Sequence, residues 1–458
     1  MQPSVSAEST RPIRDLDELC SIFREAEKPA SAHLIGAEAE KFAVLSDSFA
    51  PMPYQGERGV TAVFERLSAF GWKPERETDD GPVIALRRGN ASVTLEPGAQ
   101  LELSGSPFAD LHAVGAEIEE HYDELTRACA GLGLTWLSTG FHPLAHKEQL
   151  PWVPKQRYAI MRSYLPTRGD GAHDMMLRTA TVQANYDYTS EEDAMRKLVV
   201  LLRLSPLMHV MTQNAPFVEG RVSPLKSRRG DTWLRMDPAR SGLIPPLWSA
   251  KKLGYRDYVE WALDAGMFLV KRGDRVLANT GQTFRSFMAD GFEGERATLA
   301  DFRMHLNTLF PEVRLKATLE ARACDAQSHE LSLSVPALCT GIVYDDAALA
   351  AAEELARPFD LASVERSRPA LLRDGLSASI GERSARELAE KLVDIARGGL
   401  ARRARKNAQG ADETLFLEPL ARLIEAGQCP ADTVRAGLNV GDAVPAEVIV
   451  ARTRLLAD

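Results

Sequence analysis

Motifs that mark several common enzyme classes are absent from this sequence of 458 residues. No G-x-x-x-x-G-K-[ST] stretch occurs, which excludes a P-loop, and no G-x-S-x-G stretch occurs, which excludes the usual hydrolase elbow. The longest apolar stretch, Leu198 to Met211, is broken by Arg203 and Pro206 and is too short to span a bilayer. We therefore expect no membrane partner.

Cysteine is scarce, and its five positions are scattered with no C-x-x-C pair. An odd, dispersed set argues against a disulfide framework and against a structural zinc site. The first fifteen residues lack the apolar core of a secretory signal. These features predict a protein of the reducing cytoplasm.

An excess of positive charge is also absent. Lys and Arg total 55 against 64 Asp and Glu, which gives a net charge of −9. Nucleic acid and anionic lipid carry the same sign, so we expect neither as a non-specific partner. The hydrophobic share of 45% and the charged share of 26% are those of a globular protein with a large core.

The chain shows no internal repeat and no clear interdomain linker. We predict a flexible tail at 1–15, one large catalytic unit at 16–370, and a helical C-terminal portion at 371–458 packed on the same unit. Helical periodicity is strong at Pro107–Cys129 and continues from about Ser384 onward.

Several predicted strands carry polar side chains on one face only. Residues two apart share a face of a strand, so Glu38 and Glu40 point together, and Gln183 and Asn185 point together. Glu102 lies on the polar face of a further strand, and Glu96 stands just before a Pro-Gly break in the chain. One polar face and one packed face are typical of an antiparallel sheet.

The clearest alternation runs over the eleven residues Val313–Ala323, which we predict to form one strand. The polar face of this strand carries Arg314, Lys316, Thr318, Glu320 and Arg322.

Carboxylates recur on these polar faces at close spacing. A solvated strand face explains any single strand, but clustered carboxylates repel one another unless cations neutralise them. Hard oxygen ligands suit Mg²⁺, and neighbouring Arg and Lys side chains suit phosphate. Taken together, the strands indicate phosphoryl transfer. The carboxylates are Glu38, Glu40, Glu96, Glu102 and Glu320.

Four arginines outside these strands are further candidates. Each one alone is explained as a surface residue or a salt-bridge partner, but several of them beside the polar face would suit an acidic substrate. They are Arg157, Arg162, Arg178 and Arg240.

Six stretches in order resemble the plant and alphaproteobacterial type of glutamate–cysteine ligase. They cover roughly Gly36 to Asp346 and read GAEAEKF, LEPGAQLELSG, PKQRYAIMRSYLP, DMMLRTATVQANYDY, FPEVRLKATLEAR and VYDD. The resemblance implies an α+β, glutamine-synthetase-like fold in which a curved, mainly antiparallel sheet forms an active-site funnel with helices on its outer face. It also implies ATP and Mg²⁺ as cofactors, L-glutamate and L-cysteine as substrates, and γ-glutamylcysteine as product, made through a γ-glutamyl phosphate.

The resemblance also implies roles for particular residues. The five carboxylates named above match metal-binding positions. Catalytic roles fall on Arg322, Arg178 and Glu320, nucleotide contacts on Asn185, Gln183, Lys316 and Arg314, and substrate contacts on Arg240, Arg157 and Arg162. A related ligase with another amine or acid, and a non-catalytic anion-binding protein on the same sheet, are the alternatives. We expect a monomer or a homodimer.

Overall fold

A computed structural model describes residues 11–249, 251–273 and 275–456 of the chain. Its strands are β1 Ile35–Leu45, β2 Lys73–Arg76, β3 Val83–Arg88, β4 Ala91–Leu95, β5 Leu101–Ser104, β6 Leu134–Leu137, β7 Val182–Tyr186, β8 Phe217–Val218, β9 Arg221–Val222, β10 Ser241–Gly242, β11 Leu269–Arg272, β12 Arg275–Ala278, β13 Phe310–Pro311, β14 Val313–Leu315, β15 Leu319–Ala321, β16 Ser379–Ile380 and β17 Arg383–Ser384.

Its α-helices are α1 Leu16–Arg24, α2 Val60–Leu67, α3 Leu111–Ala128, α4 Gln156–Tyr164, α5 Ala172–Arg178, α6 Glu191–Met211, α7 Arg228–Leu234, α8 Tyr255–Asp264, α9 Phe284–Asp290, α10 Leu299–Leu306, α11 Ser334–Val343, α12 Asp346–Ala356, α13 Leu361–Asp374, α14 Ala385–Arg403, α15 Glu418–Glu425, α16 Pro430–Val434 and α17 Ala446–Thr453. The helix predicted from Pro107 begins only at Leu111, because the carboxylate of Asp110 caps it by accepting from the Ala113 backbone N–H.

A nine-stranded sheet organises the fold in the order β14-β15-β7-β1-β5-β4-β3-β2, with β6 paired to the far end of β1. The pairings within this sheet are antiparallel. The predicted α+β class with a mainly antiparallel sheet is thus confirmed. β1 is central because its eleven residues pair with three other strands.

The predicted eleven-residue strand is wrong in length. β14 and β15 form a hairpin closed by a turn in which the Lys316 N–H donates to the Thr318 carbonyl at 2.9 Å. The prediction of which residues share a face survives, because the register sets Arg314 opposite Glu320 and so keeps even-numbered residues together. Because the hairpin turn keeps polar and apolar residues alternating along the chain, alternation alone does not reveal the turn.

Helices cover the other face of the sheet. Tyr186 points away from Asn185, and its hydroxyl donates to the Pro336 carbonyl in α11 at 2.9 Å. α3, α6 and α11 all contact strands of the sheet, and α14 packs on α11. This arrangement leaves the face of Asn185 available for polar groups.

One continuous hydrophobic core extends from Leu19 to Leu455, so the C-terminal helices share the core of the sheet. The division predicted between residues 370 and 371 falls within α13, and no structural break marks it. Residues 1–10 of the predicted tail lie outside the described residues. Within the remainder of the predicted tail, the Ile13 N–H donates to the Ala297 carbonyl at 2.9 Å.

Within the described ranges, no single helix is both long and apolar enough to cross a membrane. The stretches His329–Val343 and Asp346–Ala356 meet the length and composition requirement only as a pair bent by 97°.

Candidate functional site

The strand registers set polar side chains in adjacent rows on the face opposite the helices. Glu40 of β1 lies opposite Glu102 of β5, which in turn lies opposite Thr94 of β4. One row further along, Glu38 lies opposite Gln183 of β7. Since side chains two apart share a face, these rows form one continuous polar surface from segments far apart in the chain.

Three carboxylates from this surface converge to form a group that we call the carboxylate triad. One carboxylate oxygen from each of Glu40, Glu96 and Glu102 lies within 4.8 Å of the others. Hydroxyl donors hold Glu102, with Thr94 Oγ1 at 3.0 Å and Ser104 Oγ at 2.6 Å. Glu40 accepts from the Thr181 backbone N–H at 3.0 Å.

Glu96 reaches the triad from a tight turn after β4. Its carbonyl accepts from the N–H of Ala99, which adopts a left-handed conformation with φ 66°. A Cβ at Gly98 would lie 2.4 Å from the Leu177 carbonyl oxygen, so this position needs glycine. The Gln100 amide ties the turn to the segment before β7 by donating to two backbone oxygens there. The turn at the Pro-Gly break thus places the Glu96 carboxylate on the polar face of the sheet.

Cations of the chain do not fully offset the repulsion within the triad. Burial, followed by repulsion from Glu96 and Glu102, raises the pKa of Glu40 well above its usual value. Burial and Glu96 likewise raise the pKa of Glu102. Oxygen donors this close, with ionisation of Glu40 and Glu102 disfavoured, fit a divalent cation such as Mg²⁺, which would relieve the repulsion.

Glu38 lies between the triad and a second charged group. It accepts from Asn185 Nδ2 at 3.0 Å. Burial, with added repulsion from Glu320 and Glu102, raises the pKa of Glu38 to about 7. The oxygens of Glu38 do not belong to the converging triad in the described residues.

Glu320 is the centre of the second group, which we call the buttressed carboxylate. Arg314 binds both of its oxygens at 2.8 Å, Lys316 Nζ lies 3.1 Å away, and Arg322 forms a close ion pair with it. Burial alone would raise the pKa of Glu320, but these three cations hold it well below its usual value. A metal-binding role for Glu320 stays a prediction, since side chains already neutralise it.

The predicted nucleotide-binding and catalytic residues around Glu320 differ in where their side chains lie. Arg314 is buried beside Glu320 and also donates to the Leu309 carbonyl at 2.9 Å, so it holds Glu320 in place. Arg322 donates to Gln183 Oε1 at 2.6 Å and reaches the polar face, as does the half-buried Lys316. Arg322 and Lys316 are thus cations on the polar face, and their contact with a phosphate stays a prediction.

Arg178 is held by partners within the chain. Its guanidinium binds Asp174 at 2.8 Å and Glu219 at 2.8 Å, donates to the Ala145 carbonyl, and stacks over Phe141. Every nitrogen of the group therefore has a partner in the chain, and a direct substrate role stays a prediction. The residue ties the end of α5 to neighbouring loops.

Arg240 is likewise held by partners within the chain, and its substrate role stays a prediction. It is fully buried and pairs with Asp237 at 2.9 Å. It donates to the Thr308 and Gly266 carbonyls, and its guanidinium lies 4.2 Å from the centre of the Phe268 ring. A sequence shows the arginine but not the partners that occupy it.

Arg157 and Arg162 lie on the same helix, α4, but in different surroundings. Arg157 contacts the Tyr158 hydroxyl at 3.3 Å, and that hydroxyl donates to the Leu95 carbonyl beside Glu96. Arg162 is exposed and lies 4.5 Å from the centre of the Trp152 ring. Only Arg157 is brought near the triad, and substrate roles for both stay predictions.

Sequence reasoning missed Lys155, which lies inside the PKQRY stretch. It is buried, its Nζ donates to the Leu95 carbonyl at 2.8 Å, and burial together with Arg157 lowers its pKa to about 8. A lysine two positions before a recognised arginine could have been the signal.

Sequence reasoning also missed Arg229, in a turn-rich segment that contains α7. Ser227 caps that helix, and Arg229 is buried with its Nη atoms donating to the carbonyls of Ala323 and Arg322 at 2.9 Å. Its charge lowers the pKa of Glu40 against the effect of burial. The capping serine could have revealed the helix, but not its place beside β15.

Curated relatives cover most of the chain. It is 35% identical over 402 residues to the chloroplastic glutamate–cysteine ligase of Medicago truncatula, covering 87% of this chain and 77% of the relative. It is 34% identical over 420 residues to the chloroplastic enzyme of Arabidopsis thaliana, covering 91% and 78%. The predicted cytoplasmic location is contradicted by these chloroplastic relatives. Unpaired cysteines indicate a reducing compartment without specifying which one.

A solved structure shares the fold at low sequence identity. The glutamate–cysteine ligase of Francisella tularensis, solved in complex with AMP, superposes with a TM-score of 0.56 at 12% identity, covering 92% of this chain and 87% of that chain. A model of glutamate-cysteine ligase family 2 matches residues 34–447. The chain therefore belongs to glutamate-cysteine ligase family 2.

Proposed function

We propose that this protein joins the γ-carboxylate of glutamate to the amine of cysteine with ATP, giving γ-glutamylcysteine, the first step of glutathione biosynthesis. The observation that carries the proposal is the carboxylate triad on the same sheet face as Arg322, in a chain of this family. A carboxylate resists attack by an amine because its leaving group would be oxide. Transfer of a phosphoryl group from ATP removes that obstacle.

The reaction then has two steps. A γ-carboxylate oxygen attacks the γ-phosphorus of ATP, and ADP leaves to give the acyl phosphate. The cysteine amine attacks the acyl carbon, phosphate leaves, and the amine loses a proton. A divalent cation bound by Glu40, Glu96 and Glu102 would offset the charge of the β- and γ-phosphates.

Side chains of this protein supply the remaining electrostatics. Arg322 and Lys316 neutralise the phosphoryl group as its charge redistributes, and preorganised cations are most effective where water is excluded. Gln183 holds the Arg322 guanidinium in place by accepting its hydrogen bond. Asn185 orients Glu38 by the bond to its carboxylate.

The test is a direct assay of the purified protein with ATP, MgCl₂, glutamate and cysteine. We expect ADP release that requires both amino acids, and a product with the mass of γ-glutamylcysteine. Replacing cysteine by 2-aminobutyrate, other amino acids or ammonia, and glutamate by other acids, separates this activity from that of a related ligase. Nucleotide binding without ADP release under every condition would contradict the proposal and favour a binding protein.

A further inference from the structure

The peptide group that joins Leu95 to Glu96 is held at both of its polar atoms. Its N–H donates to the Gln100 carbonyl at 3.0 Å. Its carbonyl accepts two side-chain hydrogen bonds, one from Lys155 Nζ at 2.8 Å and one from the Tyr158 hydroxyl at 2.8 Å. Because a peptide group is planar, fixing both polar atoms also fixes the direction in which the Glu96 side chain leaves the backbone.

Both side-chain donors come from the start of α4, and we call Lys155 and Tyr158 together the α4 clamp. Lys155 directly precedes the helix, and Tyr158 lies in its first turn. Lys155 is 8% exposed and Tyr158 is 2% exposed. The same segment makes a further contact with the turn after β4, because the Val153 N–H donates to the Pro97 carbonyl at 2.9 Å.

The hydroxyl of Tyr158 is oriented by a neighbouring cation. Arg157 Nη2 donates to this hydroxyl at 3.3 Å, and the guanidinium lies 5.0 Å from the centre of the Tyr158 ring. Since the hydroxyl oxygen accepts from Arg157, its single hydrogen is available for the Leu95 carbonyl. The clamp thus has a defined donor direction at each of its two bonds.

Glu96 depends on its backbone more than the other two carboxylates of the triad do. Glu40 and Glu102 project from paired strands, and hydroxyl or backbone N–H donors hold both of their carboxylates. Glu96 is half-buried in a turn, and among the described residues its carboxylate accepts no hydrogen bond. The direction of its side chain is therefore set chiefly by the peptide group that the clamp holds.

We infer that Lys155 and Tyr158 are positioning residues that hold Glu96 where the triad binds a divalent cation. This inference rests on the proposed function, because the cation is the one that the proposed reaction uses. It assigns the lysine and the tyrosine to the backbone of the turn, and their effect on the reaction passes through Glu96.

Two roles for Lys155 predict opposite changes in cation affinity. If only its charge mattered, Lys155→Met would remove a repulsive neighbour, and a divalent cation would bind the triad more tightly. If Lys155 holds the turn, the same variant releases Glu96 from its place, and the cation binds more weakly. We expect ~10-fold weaker binding, as for the loss of a group that orients a metal ligand.

Tyr158→Phe isolates the hydrogen bond, because it removes a hydroxyl and changes no charge. Mn²⁺, which shares the oxygen ligands of Mg²⁺, is titrated into each protein without nucleotide, and the EPR signal of free Mn²⁺ gives Kd. Tyr158→Phe should raise Kd by ~10-fold. In assays, the Mg²⁺ concentration at half-maximal rate should rise by the same factor, and saturating Mg²⁺ should restore kcat.

Tyr54→Phe is the matched control. Tyr54 is also buried, and its hydroxyl also donates to a strand carbonyl, that of Val83 in β3 at 2.9 Å. The control therefore loses the same kind of hydrogen bond at a carbonyl that does not adjoin the triad, and it should keep the wild-type Kd for Mn²⁺.

A double variant tests whether the effect passes through Glu96. Glu96→Gln alone should weaken Mn²⁺ binding, because it removes a charged oxygen ligand. Adding Tyr158→Phe to Glu96→Gln should cause no further loss, because no carboxylate is left to position.

Four results would overturn the inference. They are unchanged or tighter Mn²⁺ binding in Lys155→Met, unchanged binding in Tyr158→Phe, an equal loss in Tyr54→Phe, and a further ~10-fold loss when Tyr158→Phe is added to Glu96→Gln. Tyr158→Phe keeps the ring and its packing, so it decides the matter if Lys155→Met does not fold. Absence of ADP release by the wild type would overturn the proposed function, whereas Mn²⁺ binding reports on the clamp alone, so the two failures are distinguishable.

Discussion

Two carboxylates on the same sheet face, those of Glu320 and Glu40, have pKa values shifted in opposite directions. Glu320 is fully buried, and three cations of the chain hold its pKa well below the usual value. Glu40 is half-buried beside other carboxylates, and its pKa is raised well above that value. Burial opposes ionisation in both places, so the neighbouring charges decide the outcome.

This difference distinguishes a carboxylate that belongs to the folded structure from one that is available to bind a ligand. A carboxylate balanced within the chain is part of the folded structure, and removing a partner leaves a buried charge uncompensated. A carboxylate without internal balance gains its stabilisation only when a cation arrives. The triad is therefore the place where the fold retains repulsion that a ligand can relieve.

The largest effect is expected from neutralising one member of the triad. Glu40→Gln should lower kcat by ~10³-fold, because the cation opposite the phosphates would lose a charged ligand. The same change should leave the unfolding midpoint without Mg²⁺ equal or higher, since it removes repulsion. Steady-state kinetics and thermal unfolding measure the two effects. Glu57→Gln, at an exposed site, is the control, and a kcat near that of the wild type in Glu40→Gln would refute the role of the triad.

The next prediction compares the two arginines that bind Glu320. Arg322→Gln should lower kcat by ~10²-fold, because Arg322 also reaches the phosphate side, while Arg314 and Lys316 still balance Glu320. Arg314→Gln should instead cost about 3–5 kcal/mol of unfolding free energy, as for a broken buried ion pair. Denaturant titrations and kcat on both variants give the comparison, and matching profiles would show that the two arginines have one role.

A smaller effect is expected on stability when Mg²⁺ is added. At a concentration of 100 Kd, a cation that binds only the folded chain adds about 2.7 kcal/mol to its unfolding free energy. The gain should be present in the wild type and absent in Glu102→Gln, whereas Glu57→Gln should retain it. Thermal unfolding with MgCl₂ or with EDTA measures it, and an equal gain in Glu102→Gln would place the cation elsewhere.

The most gradual effect is the pH dependence contributed by Glu38, which lies between the two groups. Its pKa is raised from 4.5 to about 7, so between those values the folded chain holds a proton that the unfolded chain has released. Without Mg²⁺, the contribution of Glu38 to unfolding free energy should therefore fall as pH rises across that range and level off above about 7. Chemical denaturation of wild type and Glu38→Gln at several pH values gives the difference, which should be independent of pH if Glu38 is not perturbed.

Sequence reasoning predicted which side chains share the polar face, but it could not predict the partners of the arginines. Glu38, Glu40, Glu102, Gln183 and Asn185 all lie on the face that their alternation indicated. Alternation succeeds because it is a local property of extended backbone.

Arginine roles depend on which partners the fold brings near. Arg178 and Arg240 are occupied by Asp174 and Asp237, only four and three residues away, and by more distant groups. Arg229 reaches the site from a helix that the strand pattern does not position. Long polar side chains can turn towards any of several neighbours, so their type alone does not fix their contacts.

The sequence by itself determined which side chains share a strand face and that acidic groups would be concentrated there, since the two-residue period follows from backbone geometry. The tertiary structure alone decided that Glu40, Glu96 and Glu102 meet while Glu320 is neutralised by Arg314. Those encounters depend on strand order, on a hairpin turn and on a glycine-dependent bend. These contacts form when distant segments pack together, and no local sequence pattern predicts which segments become neighbours.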